Sequence, residues 1–558
     1  MSAFNVQKSG EVRISHSLHP KEKEFVDRRR DAVFRSLQEL NIHTSQDEDE
    51  VQNIALLASG GGERAMVGLL ECLVQLDKAG LLDCILYLSG VSGSTWCMAS
   101  LYKEPDWSTK LETVKDNIVK RLSGPKVSWG DACEKLKKYH KEKELFSLTD
   151  VWAALVVTDY VKEIDEQTLT EEWDHYSKDP FPIYTAIDKQ FKQQGDGDPW
   201  FEISPYEAGY SLTGAFVDTS SFGSKFENGS KNEMDMLYLQ GLCSSAIADE
   251  EEIYQIICMK IKDFLHIKKM KMLEETTTDL SSWEVEQCFQ VLVDLVDAHL
   301  YVRIGEDPSA LHRSIAKTLN NLGGGKYQSF SDEKINLNDK QAAKLYMKQY
   351  TEHVFNNLSL NFTFWPFDFF KDIFKCLIHW IWGRNYNFIH NMTDKTVPPD
   401  LLKSETRDYE DAGLLLNSPY FSVLREERNI DLIISLDFSE GDPFLTIKET
   451  ADICSAQKPK IPFPEVHIPS KEEKNPKDFY VFKGPNAPTV IHIPLFNVVN
   501  CGDDLEAWRN KYGTFQGPYS AEMIKDLMEV AGKNISNNVE KLREQIGAAV
   551  GRKEDNEP

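Results

Sequence analysis

Two glycine-rich turns, each preceded by a short apolar run, limit most strongly what this chain can fold into. A Gly-Gly-Gly triplet at positions 60–62 follows the apolar segment 51–59, and a helical apolar pattern comes next. A second apolar segment, 84–89, leads into the sequence GVSGS at 90–94. A strand, turn, helix and second strand within about 40 residues form a βαβ unit, so we predict an α/β fold with a parallel central sheet.

The glycine triplet is typical of a turn that holds an anionic group. Glycine lets the main chain approach a ligand closely, and the following helix N-terminus adds positive potential. The triplet by itself is weak evidence, because a second one at 323–325 follows a helical pattern and predicts only a helix C-cap. The first triplet with Ala65 also satisfies a dinucleotide fingerprint. Dinucleotide binding would also need an acidic residue at the end of the second strand. The candidate, Asp83, precedes that strand, so dinucleotide binding is disfavoured.

The GVSGS sequence predicts a nucleophile elbow. A serine between glycines on a tight strand-to-helix turn has strained backbone and an accessible hydroxyl. Ser94 stands where the usual pattern has its last glycine, and the alternative is a helix start rich in small residues. Adjacent parallel strands would place this turn and the glycine triplet at the same sheet edge, which favours a hydrolase.

The remaining pattern predicts an interrupted α/β core. We expect the core at about 45–234 and 406–550, and an inserted cap or lid, rich in charged helices, at about 235–405. The other predicted elements are an N-terminal helix at 20–41, strands at 431–438, 479–482 and 489–496, and a helical stretch at 520–548.

Composition excludes several classes of protein. The chain has 63 basic and 89 acidic side chains and a net charge of −26, which disfavours a nucleic-acid-binding protein. Its 10 cysteines include no Cys-x-x-Cys pair, which argues against structural zinc and for a reducing compartment. No apolar run is long enough for a membrane span, and neither a secretory signal nor a prenylation motif is present. We therefore expect a cytoplasmic protein.

Six segments together resemble the catalytic domain of the cytosolic (group IV) phospholipase A2 family. They keep their order over most of residues 20–545. The segments are ASGGGERAMVG (58–68), SGVSGSTW (89–96), WFEISPYEAG (200–209), FGSKF (222–226), DAG (411–413) with Asn417 and Pro419, and LIISLDFS (432–439). The resemblance implies a fold like that of patatin and cytosolic phospholipase A2, with a three-layer core, a mixed, largely parallel sheet and an inserted lid.

The resemblance also implies a Ser-Asp dyad without histidine. Ser92 would be the nucleophile and Asp411 the general base, while the main-chain N-H groups of Gly61 and Gly62 would form the oxyanion hole. Two arginines would bind the substrate phosphate or another anion: Arg64 and Arg428.

The implied activity is release of fatty acid from the sn-2 position of membrane glycerophospholipids through an acyl-serine, with lysophospholipase or transacylase activity as a related possibility. No metal or cofactor is implied. Only about 50 residues precede the first strand, too few for the calcium-binding C2 module of many relatives. Catalysis would therefore be calcium-independent, and the arrangement is most similar to the gamma branch. We expect peripheral association with phospholipid membranes.

Two alternatives remain open from the residues. A Ser-His-Asp lipid esterase would use His467 or His492, although a histidine in the strand pattern TVIHIPLF is more often structural. A catalytically silent lipid-binding protein would result if the charge of Glu63, directly after the triplet, weakens the field around Arg64 and the oxyanion.

Two segments of the insertion are candidates for membrane contact. Eleven aromatic residues lie between Phe362 and Phe388 and suit either an interface or a packed cap core. The segment 259–272 contains five lysines, which form either a basic patch for anionic lipid or an ordinary solvated helix face.

Overall fold

The protein is described from a computed structural model. The residues that the structure describes are 12–42, 51–194, 197–225, 233–245, 251–274, 281–323, 330, 336–359, 367–514 and 516–554.

The chain forms two compact units. The first consists of residues 1–127, 157–246 and 385–558, and the second of 128–156 and 247–384. The predicted insertion thus differs from the second unit at both ends. The segment 128–156 joins the second unit, although it lies far earlier in the sequence. The helix Met236–Cys243, predicted within the insertion, belongs to the first unit, because every one of its residues is buried there.

Within the residue ranges given above, twelve strands form one sheet. They are β1 Val12–Ile14, β2 Ile54–Ala58, β3 Tyr87–Gly90, β4 Phe181–Asp188, β5 Trp200–Ile203, β6 Glu207–Tyr210, β7 Ala215–Asp218, β8 Arg384–Tyr386, β9 Thr406–Asp411, β10 Leu432–Asp437, β11 Tyr480–Phe482 and β12 Thr489–Pro494.

The centre of the sheet is parallel. Strands β4, β3, β2, β10 and β12 lie side by side in that order, and each pairs in parallel with its neighbour. Antiparallel strands extend both edges, with β5, β6, β7 and β1 on one side and β11 on the other. β9 pairs antiparallel with part of β4. The central strands are buried throughout, as expected when helices cover both faces of a parallel sheet.

The structure contains the following α-helices within its described residues. They are α1 Pro20–Glu39, α2 Glu63–Lys78, α3 Gly93–Tyr102, α4 Leu111–Leu122, α5 Trp129–Glu142, α6 Leu148–Trp152, α7 Thr158–Val161, α8 Leu169–Glu172, α9 Lys189–Gln194, α10 Met236–Cys243, α11 Glu251–Glu274, α12 Ser282–Arg303, α13 Ser309–Leu322, α14 Lys340–Ser359, α15 Phe367–His379, α16 Pro399–Lys403, α17 Tyr420–Val423, α18 Leu445–Ala456, α19 Ser470–Lys474, α20 Leu505–Lys511, α21 Ala521–Ser536 and α22 Val539–Glu554.

The first unit has three layers, which confirms the predicted fold class. Alternate residues of a strand point to opposite faces. Ala55 and Leu57 of β2 face a core built with α1, α17 and α18, while α2, α3 and α21 pack together in the other helical layer. The predicted local elements at 20–41, 51–59, 84–89, 431–438, 479–482 and 489–496 are all present, and the stretch at 520–548 forms the two helices α21 and α22.

The aromatic segment of the insertion contributes mainly to the core of the second unit. Phe369, Phe370 and Phe374 of α15 are buried, and both Phe369 and Phe370 contact Phe264 of α11. Trp365 lies outside the described residues. The interpretation as a packed core therefore holds for Phe369, Phe370 and Phe374.

The lysine segment on α11 does not form a continuous basic surface. Lys262 forms an ion pair with Asp297 at 2.6 Å, and Lys269 forms one with Glu286 at 3.0 Å. Lys268 is buried, which lowers its pKa to about 8. Most of the charge that would attract anionic lipid is thus neutralised or withdrawn from water.

Candidate active site

Ser92 occupies a strained turn between β3 and α3. Its φ of 54° and ψ of −125° are unusual for a residue other than glycine, and such strain persists only where the surrounding structure imposes it. The side chain lies at the N-terminus of α3 and is 8% exposed. This is the geometry of a nucleophile elbow, as the GVSGS sequence predicts.

The glycine triplet packs directly against this elbow. A methyl group on Gly60 would lie 2.9 Å from Cβ of Ser92, and one on Gly93 would lie 1.9 Å from the carbonyl oxygen of Gly62. Gly62 itself has a φ of 57° and is the N-cap residue of α2. Two helix N-termini therefore meet beside Ser92, and both favour negative charge.

The main-chain N-H groups of Gly61 and Gly62 are available to a ligand. Within the described parts of the chain, neither group donates to a protein acceptor. They lie on the loop that contacts Ser92 and immediately precedes α2. The arrangement can stabilise an anionic oxygen bound next to the serine.

Hydrogen bonds connect the two turns to each other and to the segment after β9. The Ser94 hydroxyl donates to the Ser59 carbonyl at 2.7 Å. The main-chain N-H of Gly60 donates to the main-chain carbonyl of Asn417 at 3.2 Å. The side-chain amide of Asn417 donates in turn to the Gly60 carbonyl at 3.1 Å. The positioning roles of Ser59 and Ser94 were not predicted. Only their position beside the two glycine turns could have indicated these roles, because serine hydroxyl groups often form hydrogen bonds with nearby main-chain groups.

The sheet register brings Asp411 to the same edge of β4 as the serine turn. Gly90, the last residue of β3, pairs with Tyr184 of β4, and Asp411 pairs with Ala186. The opposite edge of this part of β4 is occupied by β5. β9 therefore pairs with the same edge of β4 as β3 does, beginning just beyond the point where β3 ends at Gly90. Because Tyr184 and Ala186 lie about 7 Å apart along one strand, Asp411 lies next to the turn that carries Ser92.

The Asp411 side chain is fully buried. One of its carboxylate oxygens accepts a hydrogen bond from the Gly413 N-H at 2.7 Å, which holds the carboxylate at the start of the following turn. Burial and the charge of Asp411 both raise the pKa of the neighbouring Cys243 thiol. Among the described residues, the Ser92 hydroxyl forms no hydrogen bond, either with Asp411 or with another group.

Arg64 ties the glycine loop to the rest of the core. Its guanidinium donates to the carbonyls of Phe438 and Tyr512 at 2.8 and 2.5 Å, and to the Thr514 hydroxyl at 3.4 Å. The side chain is 1% exposed. The guanidinium is thus directed at protein acceptors, and its predicted contact with a lipid phosphate stays a prediction.

Arg428 lies in a buried ion-pair network. It donates to Glu22 of α1 at 2.9 Å and to Glu202 of β5 at 2.8 Å, and Glu202 also pairs with Arg425. These contacts tie α1 to the sheet and to the segment that precedes β10. The predicted role of Arg428 in anion binding likewise stays a prediction.

Glu63 is buried beside the glycine loop. One carboxylate oxygen accepts a hydrogen bond from the Tyr519 N-H at 2.8 Å. Burial raises the pKa of Glu63 to about 7, although this hydrogen bond and the charge of Lys162 oppose the shift. Near neutral pH the group is therefore only partly charged, which reduces its effect on the electrostatic field at Gly61 and Gly62.

The two histidines of the triad alternative lie in different surroundings. His492 is buried in β12, and its Nε2 donates to the Pro443 carbonyl at 2.7 Å. β10 and β2 separate β12 from β3, so about 14 Å of sheet lies between His492 and the strand that leads to Ser92. His467 is exposed in the segment before α19. His492 is thus held away from the turn that carries Ser92, and a role of His467 stays a prediction.

The dinucleotide alternative also lacks its acidic residue. Asp83 lies in a short 3-10 turn, Leu82–Cys84, that precedes β3. It is therefore at the opposite end of that strand from the glycine turns, where it cannot contact a ribose bound at them.

Within its described residues, the structure contains no group of three or more His, Cys, Asp and Glu side chains that could hold a metal ion. None of the helices described is long and apolar enough to cross a membrane.

The chain is similar to a group of related known proteins. Residues 54–279 match the family model described as "Lysophospholipase catalytic domain". The chain is 34% identical over 554 residues to mouse cytosolic phospholipase A2 gamma, covering 93% of this chain and 89% of the relative. It is 32% identical over 561 residues to the human protein of the same name, covering 97% of each.

A solved structure has the same fold. Human GIVD cytosolic phospholipase A2 superposes with a TM-score of 0.63 at 21% identity, covering 97% of this chain and 68% of that one. A second structure of that protein, in complex with methyl gamma-linolenyl fluorophosphonate, superposes with a TM-score of 0.62 at 21% identity, covering 97% of this chain and 65% of that one.

Proposed function

This chain belongs to the cytosolic phospholipase A2 family, and from that premise we propose that it hydrolyses the sn-2 fatty acyl ester of membrane glycerophospholipids with Ser92 and Asp411 as a catalytic dyad. One observation carries the proposal: the strained Ser92 elbow packs against the glycine loop, and Asp411 lies along the same edge of β4.

The first half of the reaction forms an acyl-enzyme. Ser92 Oγ attacks the ester carbonyl carbon while Asp411 takes the hydroxyl proton. The N-H groups of Gly61 and Gly62 donate to the negatively charged oxygen of the tetrahedral intermediate. Each such donor is typically worth about 10²–10³ in turnover. When the intermediate collapses, Asp411 returns the proton to the departing alkoxide, and a lysophospholipid leaves.

The second half releases the fatty acid. Water attacks the acyl-serine, and Asp411 takes one of its protons and then returns it to Ser92 Oγ. A lysophospholipid that supplies the acyl group, with water still as the acceptor, would give lysophospholipase activity at the same site. An alcohol that replaces water as the acceptor of the acyl group would give transacylase activity. Asp411 is buried, and a carboxylate that is shielded from water is a stronger base than an exposed one.

The two arginines contribute by holding this arrangement. The contacts of Arg64 fix the loop that carries Gly61 and Gly62, and the buried ion pairs of Arg428 stabilise the sheet around β5. We propose that the enzyme acts as a cytoplasmic protein that associates peripherally with phospholipid membranes, and that catalysis requires no calcium.

The test combines fluorophosphonate labelling with hydrolysis of liposomes by wild type, Ser92→Ala, Asp411→Asn and His492→Ala. Asp408→Asn is the matched control, because it lies on the same strand as Asp411 with its side chain on the other sheet face. We expect Ser92→Ala and Asp411→Asn to lose at least about 10³-fold in hydrolysis. Ser92→Ala should also lose labelling, and Asp408→Asn and folded His492→Ala should keep both activities.

Three results would contradict the proposal. Loss of hydrolysis in a folded His492→Ala protein would favour the Ser-His-Asp esterase. A wild type that neither reacts with fluorophosphonate nor hydrolyses liposomes would favour a silent lipid-binding protein. An active Asp411→Asn variant would remove the proposed base.

A further inference from the structure

The second unit contains a cavity of about 660 Å³ that is formed by α11, α12, α14, α15 and the residues that follow α12 and α15. All of its lining residues belong to that unit. The volume lies within the range of about 300–1,000 Å³ that is usual for small-molecule sites. Nothing in the proposed chemistry of Ser92 uses this cavity.

The wall of the cavity is mainly apolar and includes stacked aromatic rings. Met347 of α14, together with Leu377 and Ile378 of α15, is buried in the lining. Tyr254 and Trp380, which also line the cavity, stack with ring centroids 5.2 Å apart. A hydrocarbon chain that lies along this wall would remove from water both its own apolar surface and that of the wall.

All the charged groups in the lining, in contrast, are cations. Arg303 at the end of α12 and Lys340 and Lys344 on α14 line the cavity, and no carboxylate does so. None of these three side chains forms an ion pair in the part of the chain that the structure describes. The neighbouring Asp339 accepts hydrogen bonds from the N-H groups of the first turn of α14 instead.

The cations lie at the rim and not in the floor. Arg303, Lys340 and Lys344 are exposed, and the Arg303 guanidinium lies 5.5 Å from the centroid of the Tyr254 ring, which positions it over the aromatic wall. The buried His299 in the lining bonds the Tyr254 hydroxyl and Thr351. Burial lowers the pKa of His299 to about 3, so it remains neutral.

We propose that this cavity binds the anion of a long-chain fatty acid, with the carboxylate at Arg303, Lys340 and Lys344 and the hydrocarbon chain along the apolar wall. Three cations around one opening, in a protein with a net charge of −26, are complementary to a single anionic head group. The planar guanidinium of Arg303 matches the two oxygens of a carboxylate. The proposal does not depend on the activity assigned to Ser92.

The binding test uses sodium oleate below its micelle concentration, titrated calorimetrically into the full-length protein. The variant Lys340→Glu/Lys344→Glu changes only exposed residues and should weaken oleate binding about tenfold or more. Arg313→Glu/Lys317→Glu on α13 is the matched control, because it reverses two exposed cations of the same unit that do not line the cavity. Its net charge equals that of the first variant, and its Kd should equal that of wild type. Oleyl alcohol, which has the same chain without the charge, should bind at least about tenfold more weakly than oleate.

A second measurement locates the ligand. The probe 9,10-dibromostearate quenches the fluorescence of nearby tryptophan, and part of the quenching should disappear in Trp380→Phe. Equal oleate affinity in wild type and Lys340→Glu/Lys344→Glu would overturn the proposal, as would equal binding of oleyl alcohol. It would also be overturned if charge reversal weakened only the binding of phosphatidylserine vesicles, because the rim would then be a membrane contact.

Discussion

Substitution of Gly93 by alanine tests whether contact between the two turns sets the catalytic geometry. The added methyl group would lie 1.9 Å from the Gly62 carbonyl oxygen, whereas ordinary contacts begin at 3.4 Å. The glycine loop or the elbow must therefore move by about 1.5 Å. Alanine at this position introduces no backbone strain of its own, because Gly93 has no positive φ.

The expected loss of activity follows from that displacement. A misplacement of about 1 Å at a reacting centre can reduce catalysis by about 10²-fold, so we expect kcat/KM for liposome hydrolysis to fall at least that much. Crowding of this kind reduces the free energy of unfolding by about 1–3 kcal/mol, and a variant within that range remains folded.

The assay compares Gly93→Ala with Gly441→Ala, because a methyl group on Gly441 meets no atom within 4 Å. Hydrolysis, the rate of fluorophosphonate labelling and thermal unfolding are measured for both proteins. Gly441→Ala should match wild type in all three. If Gly93→Ala were folded and retained wild-type hydrolysis, close packing of the elbow and the glycine loop would not be what positions the oxyanion donors.

Two further predictions concern the buried charges. Arg428→Met should lower the free energy of unfolding by about 3–5 kcal/mol, because it leaves the buried carboxylates of Glu22 and Glu202 without this cation. Urea denaturation measures the change, and an unchanged midpoint of unfolding would contradict the ion-pair network around Arg428. Folding raises the pKa of Glu63 from its ordinary value of 4.5 to about 7. Between these two pH values, Glu63 is protonated in the folded protein and deprotonated in the unfolded protein. Wild type should therefore lose up to about 3 kcal/mol of stability relative to Glu63→Gln as the pH rises from about 4.5 to above 7, and parallel pH profiles for the two proteins would refute the shift.

Local sequence was sufficient for the elements around Ser92. Apolar runs at 51–59 and 84–89, each followed by glycines, predict β2, β3 and the two turns, because these preferences act over only a few residues. The existence of a hydrolase-like elbow was thus predictable before any tertiary structure was known.

The boundaries of the second unit were not predictable in this way. Residues 128–156 contain the ordinary helical patterns of α5 and α6, and nothing in those patterns distinguishes them from helices of the first unit. Which helices pack together depends on the complementarity of side chains distant in sequence, and periodicity does not record it.

The amino-acid sequence by itself determined the βαβ unit, the strained serine turn and, through its ordered motifs, the family. Only the tertiary structure decided where the distant groups lie. Asp411 lies near the turn that carries Ser92 because β9 pairs with the edge of β4 beyond the point where β3 ends, while His492 is held three strands away from β3. Arg64 and Arg428 have their guanidinium groups directed into the protein. The physical reason is that strand pairing and burial join segments hundreds of residues apart, whereas local patterns specify only the conformation of each segment.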